Sequence, residues 1–280
     1  MGENKRVIIA SDIHYCDMGS YINQKVKRKW LKNDFKKAYK TNRYEALLLL
    51  GDYSLDHWVW GPQGCFINGG VSNAKLFKEH CLSDMAPKGV KVSMIPGNHE
   101  QYGNELWKEL TGFTRSDSVV VGSVLFILLD TFAGNLDPTE HSDGTYTGSN
   151  VNEIKEIMAK HPDKKVVLCA HFFDMENESA EFKNLLSTEN RILCLVCGHE
   201  HISKITSTGS DAGDKPILFD GHYARTTESN PLSCLYGYRE IIINEDKITS
   251  KYIVPSHTYT IGKITFTNEY NEQNQIEIKF

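Results

Sequence analysis

Short apolar runs alternate with helical patterns along this chain, and the runs stop at acidic or histidine residues. Val7-Ile-Ile-Ala stops at Ser11-Asp12-Ile13-His14, and Ala46 with the four leucines after it stops at Gly51-Asp52. Val90 to Ile95 gives way to Pro96-Gly97-Asn98-His99-Glu100, and Val124 to Leu129 gives way to Asp130. Lys165 to Ala170 ends at His171, and Ile192 to Cys197 ends at Gly198-His199-Glu200-His201. A seventh run, Ile217 to Phe219, ends at Asp220-Gly221-His222. Runs this apolar, without clean alternation, predict strands covered on both faces.

Between the runs, Ile22, Val26, Trp30, Phe35 and Tyr39 recur at near-helical spacing and predict a helix over 21–43. Asn150 predicts the cap of a helix carrying Ile154, Ile157 and Met158, and residues 73–86 and 178–187 read as weaker helices. Tyr238 to Ile243 and Lys247 to Val254, separated by Asn244-Glu-Asp, predict a hairpin. Thr260 to Phe266 with Gln275 to Phe280 predict a second. The expectation is a mixed architecture, with largely parallel sheets first, antiparallel ones last and helices outside. No repeat or linker divides it, so residues 1–280 are read as one domain that includes the hairpins of 236–280.

Composition narrows the classes. With 280 residues, 40% hydrophobic and 24% charged, the chain has globular composition rather than disordered composition. No apolar run approaches the roughly 18 residues of a membrane span. A net charge of −5 gives no general reason for a nucleic-acid partner. Seven cysteines, an odd number without framework spacing, suit a reducing compartment. The N-terminal residues show no signal-like apolar segment, so a cytoplasmic location is expected. Cys194 and Cys197 lie inside an apolar strand, three apart, and are read as core residues on opposite faces rather than as a redox pair. The basic residues of 25–43 offer a nucleic-acid-binding run as one reading, and are read in preference as the solvated face of an amphipathic helix.

Ligands of open α/β sheets gather outside the carboxyl ends of the strands, where these polar clusters fall. Imidazole and carboxylate suit Mn, Fe, Zn or Ni. Asp12, His14, Asp52, Asn98, His171, His199 and His201 are seven potential ligands, too many for one ion and suited to two that share a bridging carboxylate. Two ions about 3.5–4 Å apart form the clamp that phosphatases, nucleases and aminopeptidases use.

The ordered set Asp12-x-His14, Gly51-Asp52, Gly97-Asn98-His99-Glu100, His171 and Gly198-His199-x-His201 resembles the five signature blocks of the calcineurin-like metallophosphoesterases. The resemblance spans residues 7 to about 255 and implies a four-layer αββα sandwich, two mixed sheets flanked by helices. It further implies that Asp12, His14 and His201 hold a first metal with Asp52, that Asn98, His171 and His199 hold a second, and that Asp52 bridges. His99 is then the non-ligand histidine that protonates the leaving oxygen or steadies the transition state; Asp56, where the chain departs from the family pattern, is a candidate to orient it. The implied reaction is cleavage of a phosphodiester or phosphomonoester by hydroxide shared between the metals, on a small phosphate-ester substrate. A nuclease of the same fold, and a non-catalytic interaction scaffold, are the alternatives. The position three residues after Asp52 is Leu55, where phosphoprotein-phosphatase relatives begin an Asp-Arg-Gly sequence, so a protein phosphatase is not expected.

Two long connections, Tyr53 to Asn73 and Thr131 to Asn150, are expected to wall the pocket. Trp58 or Trp60 would offer a stacking surface, and Arg225 a phosphate contact. His57, His80, His141, His161, His222 and His257 are given no role.

Overall fold

The computed structural model describes residues 4–16, 22–56, 72–134, 136, 143–224, 236–261, 264–268 and 274–280. The strands are β1 (Lys5–Ala10), β2 (Ala46–Leu50), β3 (Lys91–Ile95), β4 (Asp117–Val121), β5 (Val124–Leu129), β6 (Lys165–Ala170) and β7 (Ile192–Cys197). They continue with β8 (Ile205–Ser207), β9 (Pro216–Phe219), β10 (Tyr238–Ile243), β11 (Lys247–Ile253), β12 (His257–Ile261), β13 (Ile264–Asn268) and β14 (Gln275–Lys279). One six-stranded sheet runs β14-β11-β10-β1-β2-β3 and the other β4-β5-β6-β7-β9-β8, with β12 and β13 pairing alone. β1, β2 and β3 are parallel, and so are β5, β6, β7 and β9.

Period-two alternation sorts the strand residues into layers. Val7, Ile9, Leu48 and Leu50 meet Phe126, Leu128, Val167 and Val196 in a core between the two sheets. Ile8, Leu47 and Leu49 face the opposite way, onto Trp30, Leu31 and Phe35 of helix α1 (Gln24–Thr41) and Trp107 of the helix Asn104–Thr111. Leu125, Ile127 and Leu168 pack outward on the helices Val151–Lys160 and Ala180–Thr188. The layers are therefore helix, sheet, sheet, helix, as expected. Cys194 belongs to the inter-sheet core and Cys197 to the outer one, which bears out their placement on opposite faces. No helix among the described residues is long and apolar enough to cross a membrane.

Three local expectations are corrected. The second hairpin pairs β12 with β13, while β14 returns to β11. A hairpin between β4 and β5, turning at Gly122 with φ 58°, was absent from the sequence reading, as was the helix Asn104–Thr111. Lys27 is not on the solvated face of α1 but fully buried. The cap of the helix Val151–Lys160 is Asn150, whose side chain accepts from the Glu153 amide.

Candidate metal centre

Each strand that bears a predicted ligand ends at the same edge of the molecule. Asp12 and His14 follow β1, Asp52 follows β2, Asn98 follows β3, His171 follows β6, and His199 with His201 follows β7. Backbone bonds lock these ends together: the Asp12 amide donates to Gly51 O at 3.0 Å, the His14 amide to Asp52 O at 2.9 Å, and the Gly198 amide to His171 O at 2.9 Å. The chain turns back sharply at these points. Asp12, His14, Asp52, His199 and His201 have φ of 51°, 45°, 56°, 70° and 55°; among the described residues the only other non-glycine with positive φ is Asp214. Left-handed backbone costs a side-chain-bearing residue roughly 1–3 kcal/mol and persists where the surroundings enforce it, typically at functional sites. Gly97 lies against Asp52 so closely that a Cβ there would collide with Asp52 Oδ1.

All seven predicted ligands converge. Asp12 Oδ1 faces His201 Nε2 at 3.2 Å and His14 Nε2 at 3.8 Å, and the two imidazole nitrogens are 3.2 Å apart. On the other side, His171 Nε2 lies 2.9 Å from Asn98 Oδ1 and 3.3 Å from His199 Nδ1, which is itself 3.0 Å from Asn98 Oδ1. Asp52 stands between the two groups. Its Oδ1 accepts the His99 amide at 3.1 Å, leaving Oδ2 to face His171 Nε2 at 3.2 Å and His14 Nε2 at 3.7 Å. Asp12-His14-His201 and Asp52-His171-His199 each bring three ligand atoms close enough to hold a cation, and His14-Asp52-His99 forms a third such group.

These residues fit a cation. Asp12 Oδ1 is buried with no hydrogen-bond donor, although two imidazole nitrogens face it. His171 Nδ1 donates to Leu50 O at 2.8 Å, so its Nε2 carries the lone pair that points into the cluster. Burial opposes a charge on His171, yet Asp52 overrides it and raises the pKa to about 10. The pocket demands positive charge at that point, and a divalent ion supplies it as well as a proton does. The donors are all nitrogen and oxygen, with no sulfur, which matches Mn, Fe, Zn or Ni.

Titration separates the histidines. Burial, against the pull of Asp12, drives His14 down to about 3, and burial with the neighbouring His171 lowers His199. His99 goes the other way: burial opposes its charge, but Asp52 and then Asp143 raise its pKa. His99 Nε2 sits 3.6 Å from Asp52 Oδ2, and its Nδ1 sits 3.0 Å from Asp143 Oδ1.

The partner expected for His99 is thus corrected. Asp56 is occupied elsewhere, accepting from Ser72 Oγ at 2.9 Å, Asn73 N at 3.0 Å and Asn73 Nδ2 at 2.9 Å, and from Tyr102 OH. It accepts the first amides of the helix that begins at Asn73, whose cap is Ser72, whereas Asp143 comes from the long connection after β5. Trp58, Trp60 and Arg225 lie outside the described residues. Asp130 is engaged by Arg115 Nε at 2.7 Å.

Three supporting residues had no role in the sequence reading. Glu100 is fully buried and accepts from Asp52 N at 2.8 Å, Gly97 N at 2.9 Å, Ser54 N at 2.9 Å and Ser54 Oγ at 3.1 Å. Lys27 Nζ donates to Ile13 O at 2.5 Å, His14 O at 2.7 Å and Ala224 O at 3.3 Å. Ser11 Oγ joins Asp12 Oδ2 to Asp220 Oδ1, the latter at 2.7 Å. Burial, with Asp12, pushes Asp220 well above the usual carboxylate range. A proton on Asp220 lets one hydroxyl connect both carboxyl groups.

The model of the calcineurin-like phosphoesterases matches residues 5–203. The chain belongs to this family. Membership supports a hydrolase at a coarse level, and the His/Asp groups supply the metal-binding chemistry that the family name implies. The chain matches no curated protein. Among solved structures it resembles Vacuolar Protein Sorting 29 from Cryptosporidium parvum, 11% identical over 99% of each chain, TM-score 0.44. It also resembles a predicted phosphoesterase from Streptococcus pneumoniae, 12% identical over 95% of this chain and 99% of that one, TM-score 0.40. A further solved structure, 10% identical over 89% of this chain and 99% of that one, reaches TM-score 0.54 and shares the fold.

Proposed function

We propose that this phosphoesterase is a dinuclear metal-dependent phosphohydrolase, acting on a phosphodiester or phosphomonoester. The observation that carries the reading is the position of Asp52 Oδ2, common to His171 Nε2 at 3.2 Å and His14 Nε2 at 3.7 Å, where a bridging carboxylate belongs. Asp12, His14 and His201 would hold one ion with Asp52; Asn98, His171 and His199 would hold the other. When bound, such a pair depresses the pKa of water to about 7 and neutralises charge on phosphoryl oxygens.

The protein's own groups do the rest. Backbone locks among the strand ends hold the ligands rigidly, so the cluster needs little reorganisation. Asn98 adds a ligand oxygen without negative charge that would repel a phosphate. His99, its pKa raised beside Asp52 and Asp143, would deliver a proton to the leaving oxygen.

The test is reconstitution of purified protein with Mn, Fe, Zn or Ni, followed by elemental analysis and assay on bis(4-nitrophenyl) phosphate and 4-nitrophenyl phosphate. Two ions per chain with metal-dependent release of nitrophenolate is the expected result. Fully metal-supplied protein that retains fewer than one ion, or hydrolyses neither ester, overturns the reading.

A further inference from the structure

Helix α1 carries charge of one sign. Of its ten exposed residues seven are Lys or Arg and none is acidic. Its one acidic residue, Asp34, points inward and accepts from Tyr223 OH at 3.0 Å and faces His257 Nε2 at 2.8 Å. Lys25, Arg28, Lys29, Lys32, Lys36 and Lys40 recur at helical spacing, so they share an arc of about 120° and form one band about 22 Å long. Among the described residues a single ion pair touches this row, Lys32 Nζ to Asp84 Oδ1 at 2.8 Å.

A face that is merely solvated mixes signs along the helix. Here Lys25 and Lys29, Arg28 and Lys32, Lys32 and Lys36, and Lys36 and Lys40 are like-charge neighbours at i,i+4, an arrangement that destabilises a helix. Lys25 also opposes the macrodipole in a first turn that holds no acidic residue. The row is not a by-product of a basic protein, because the whole chain is −5 and residues 24–43 alone are +8, leaving −13 on the remainder. Two separate features of the helix, its like-charge pairs and its uncompensated first turn, are therefore unfavourable until a polyanion lies along it.

We propose that this row is a docking surface for the phosphate backbone of double-stranded nucleic acid. A single file of cations matches a linear row of phosphates better than it matches a plane of lipid headgroups. The exposed face offers a bilayer no anchor, since Val26, the large apolar residue exposed there at 39%, lies beyond the edge of the row. Nor does it offer stacking rings for single strands: Tyr39 is half-buried and held edge-on to Tyr44 with ring centroids 5.3 Å apart. The contacts are to phosphates alone, so binding is independent of sequence. The proposal does not rest on the hydrolase reading.

The experiment is fluorescence anisotropy of a labelled mixed-sequence 20-base-pair DNA duplex titrated with the full chain over a range of salt. Six neutralised phosphates predict a log–log salt slope of about −5, which is roughly a thousandfold loss of affinity between 50 and 200 mM salt. The triple variant Lys25→Gln/Lys29→Gln/Lys36→Gln should flatten the slope by about 3. Lys155→Gln/Lys247→Gln, altered on other faces, should leave it unchanged, and circular dichroism confirms that each variant is folded. The proposal is overturned if the duplex does not bind at 50 mM salt, if the triple variant binds as the parent does, or if phosphatidylserine vesicles are retained where the duplex is not.

Discussion

His99 turns one ring nitrogen to Asp143, with Nδ1 and Oδ1 3.0 Å apart, while its other nitrogen faces the metal-ligand cluster. This orientation comes from the backbone next door, where the Gly144 amide donates to Asn98 O at 2.7 Å and brings the connection after β5 against β3. Asp143 thus faces the ring and, after Asp52, raises the His99 pKa against burial.

An Asp143→Asn variant tests that pairing. His99 is raised above its unfolded value, so its protonated form dominates below that value and is lost as pH rises through the folded pKa. Activity that needs this proton falls on the alkaline side. Removing Asp143 lowers the His99 pKa and should move the alkaline limb of kcat/KM to lower pH, leaving metal content unchanged. His99→Ala should lose about 100-fold or more on an alkyl phosphate ester but far less on a nitrophenyl ester, whose leaving group needs no proton. Loss of metal in His99→Ala would instead assign the ring as a ligand.

Asp52→Asn should strip the centre more thoroughly than any other single ligand change. Its Oδ2 serves both clusters, whereas Asp12 serves one. Elemental analysis should find well under two ions per chain, and turnover should fall at least about 1,000-fold. A variant that keeps two ions and parental kcat would show that the carboxylate does not bridge.

The seven ligands were legible in the sequence because strands buried on both faces produce unbroken apolar runs, and each run breaks where the chain emerges at the edge. His171 and Asp52 are therefore marked by the hydrophobicity before them. Asp143 has no such mark, since it sits in a connection whose path depends on the Gly144–Asn98 bond. Lys27 was misread because it lies among eight other basic residues of 25–43. Its place three and four positions before Trp30 and Leu31, both in the core, was the available signal. The β4–β5 hairpin carries a weak mark, since β4 is short and only partly buried and its turn at Gly122 spans two residues.

Lys27 repays a separate test. Its ammonium bridges the His14 segment to Ala224, from the loop after β9, and it is wholly buried. Lys27→Met keeps the apolar stem and takes the ammonium from three carbonyl oxygens, of which His14 O still accepts from the Cys16 amide, at a cost of about 1–3 kcal/mol for each that stays unsatisfied. The melting temperature should fall, and the ion held by Asp12, His14 and His201 should be lost before the other. Lys27→Arg should restore part of both. Equal weakening of the two ions would mean that Lys27 supports the fold without positioning His14.

Glu100 offers the sharpest contrast between shape and chemistry. Its two oxygens receive four donors: Oε2 takes the amides of Asp52 and Gly97, and Oε1 takes the amide and hydroxyl of Ser54. The four donors favour the ionised form, while burial and then Asp52 oppose it and raise the Glu100 pKa to about 7. Glu100→Gln is nearly isosteric, yet its NH2 must face one of the two donor pairs, which loses those bonds and sets hydrogens against hydrogens. With burial complete, the expected cost is about 2–4 kcal/mol, on the scale of two unsatisfied buried donors. Where the NH2 faces the Oε2 pair, the damage should also reach the metals, because those amides belong to Asp52 itself and to Gly97, packed against it. Denaturant unfolding should show the loss of stability, and metal titration should show weaker binding of both ions. A Glu100→Gln protein with parental stability and affinity would refute the view that this carboxylate organises the loops beneath the centre.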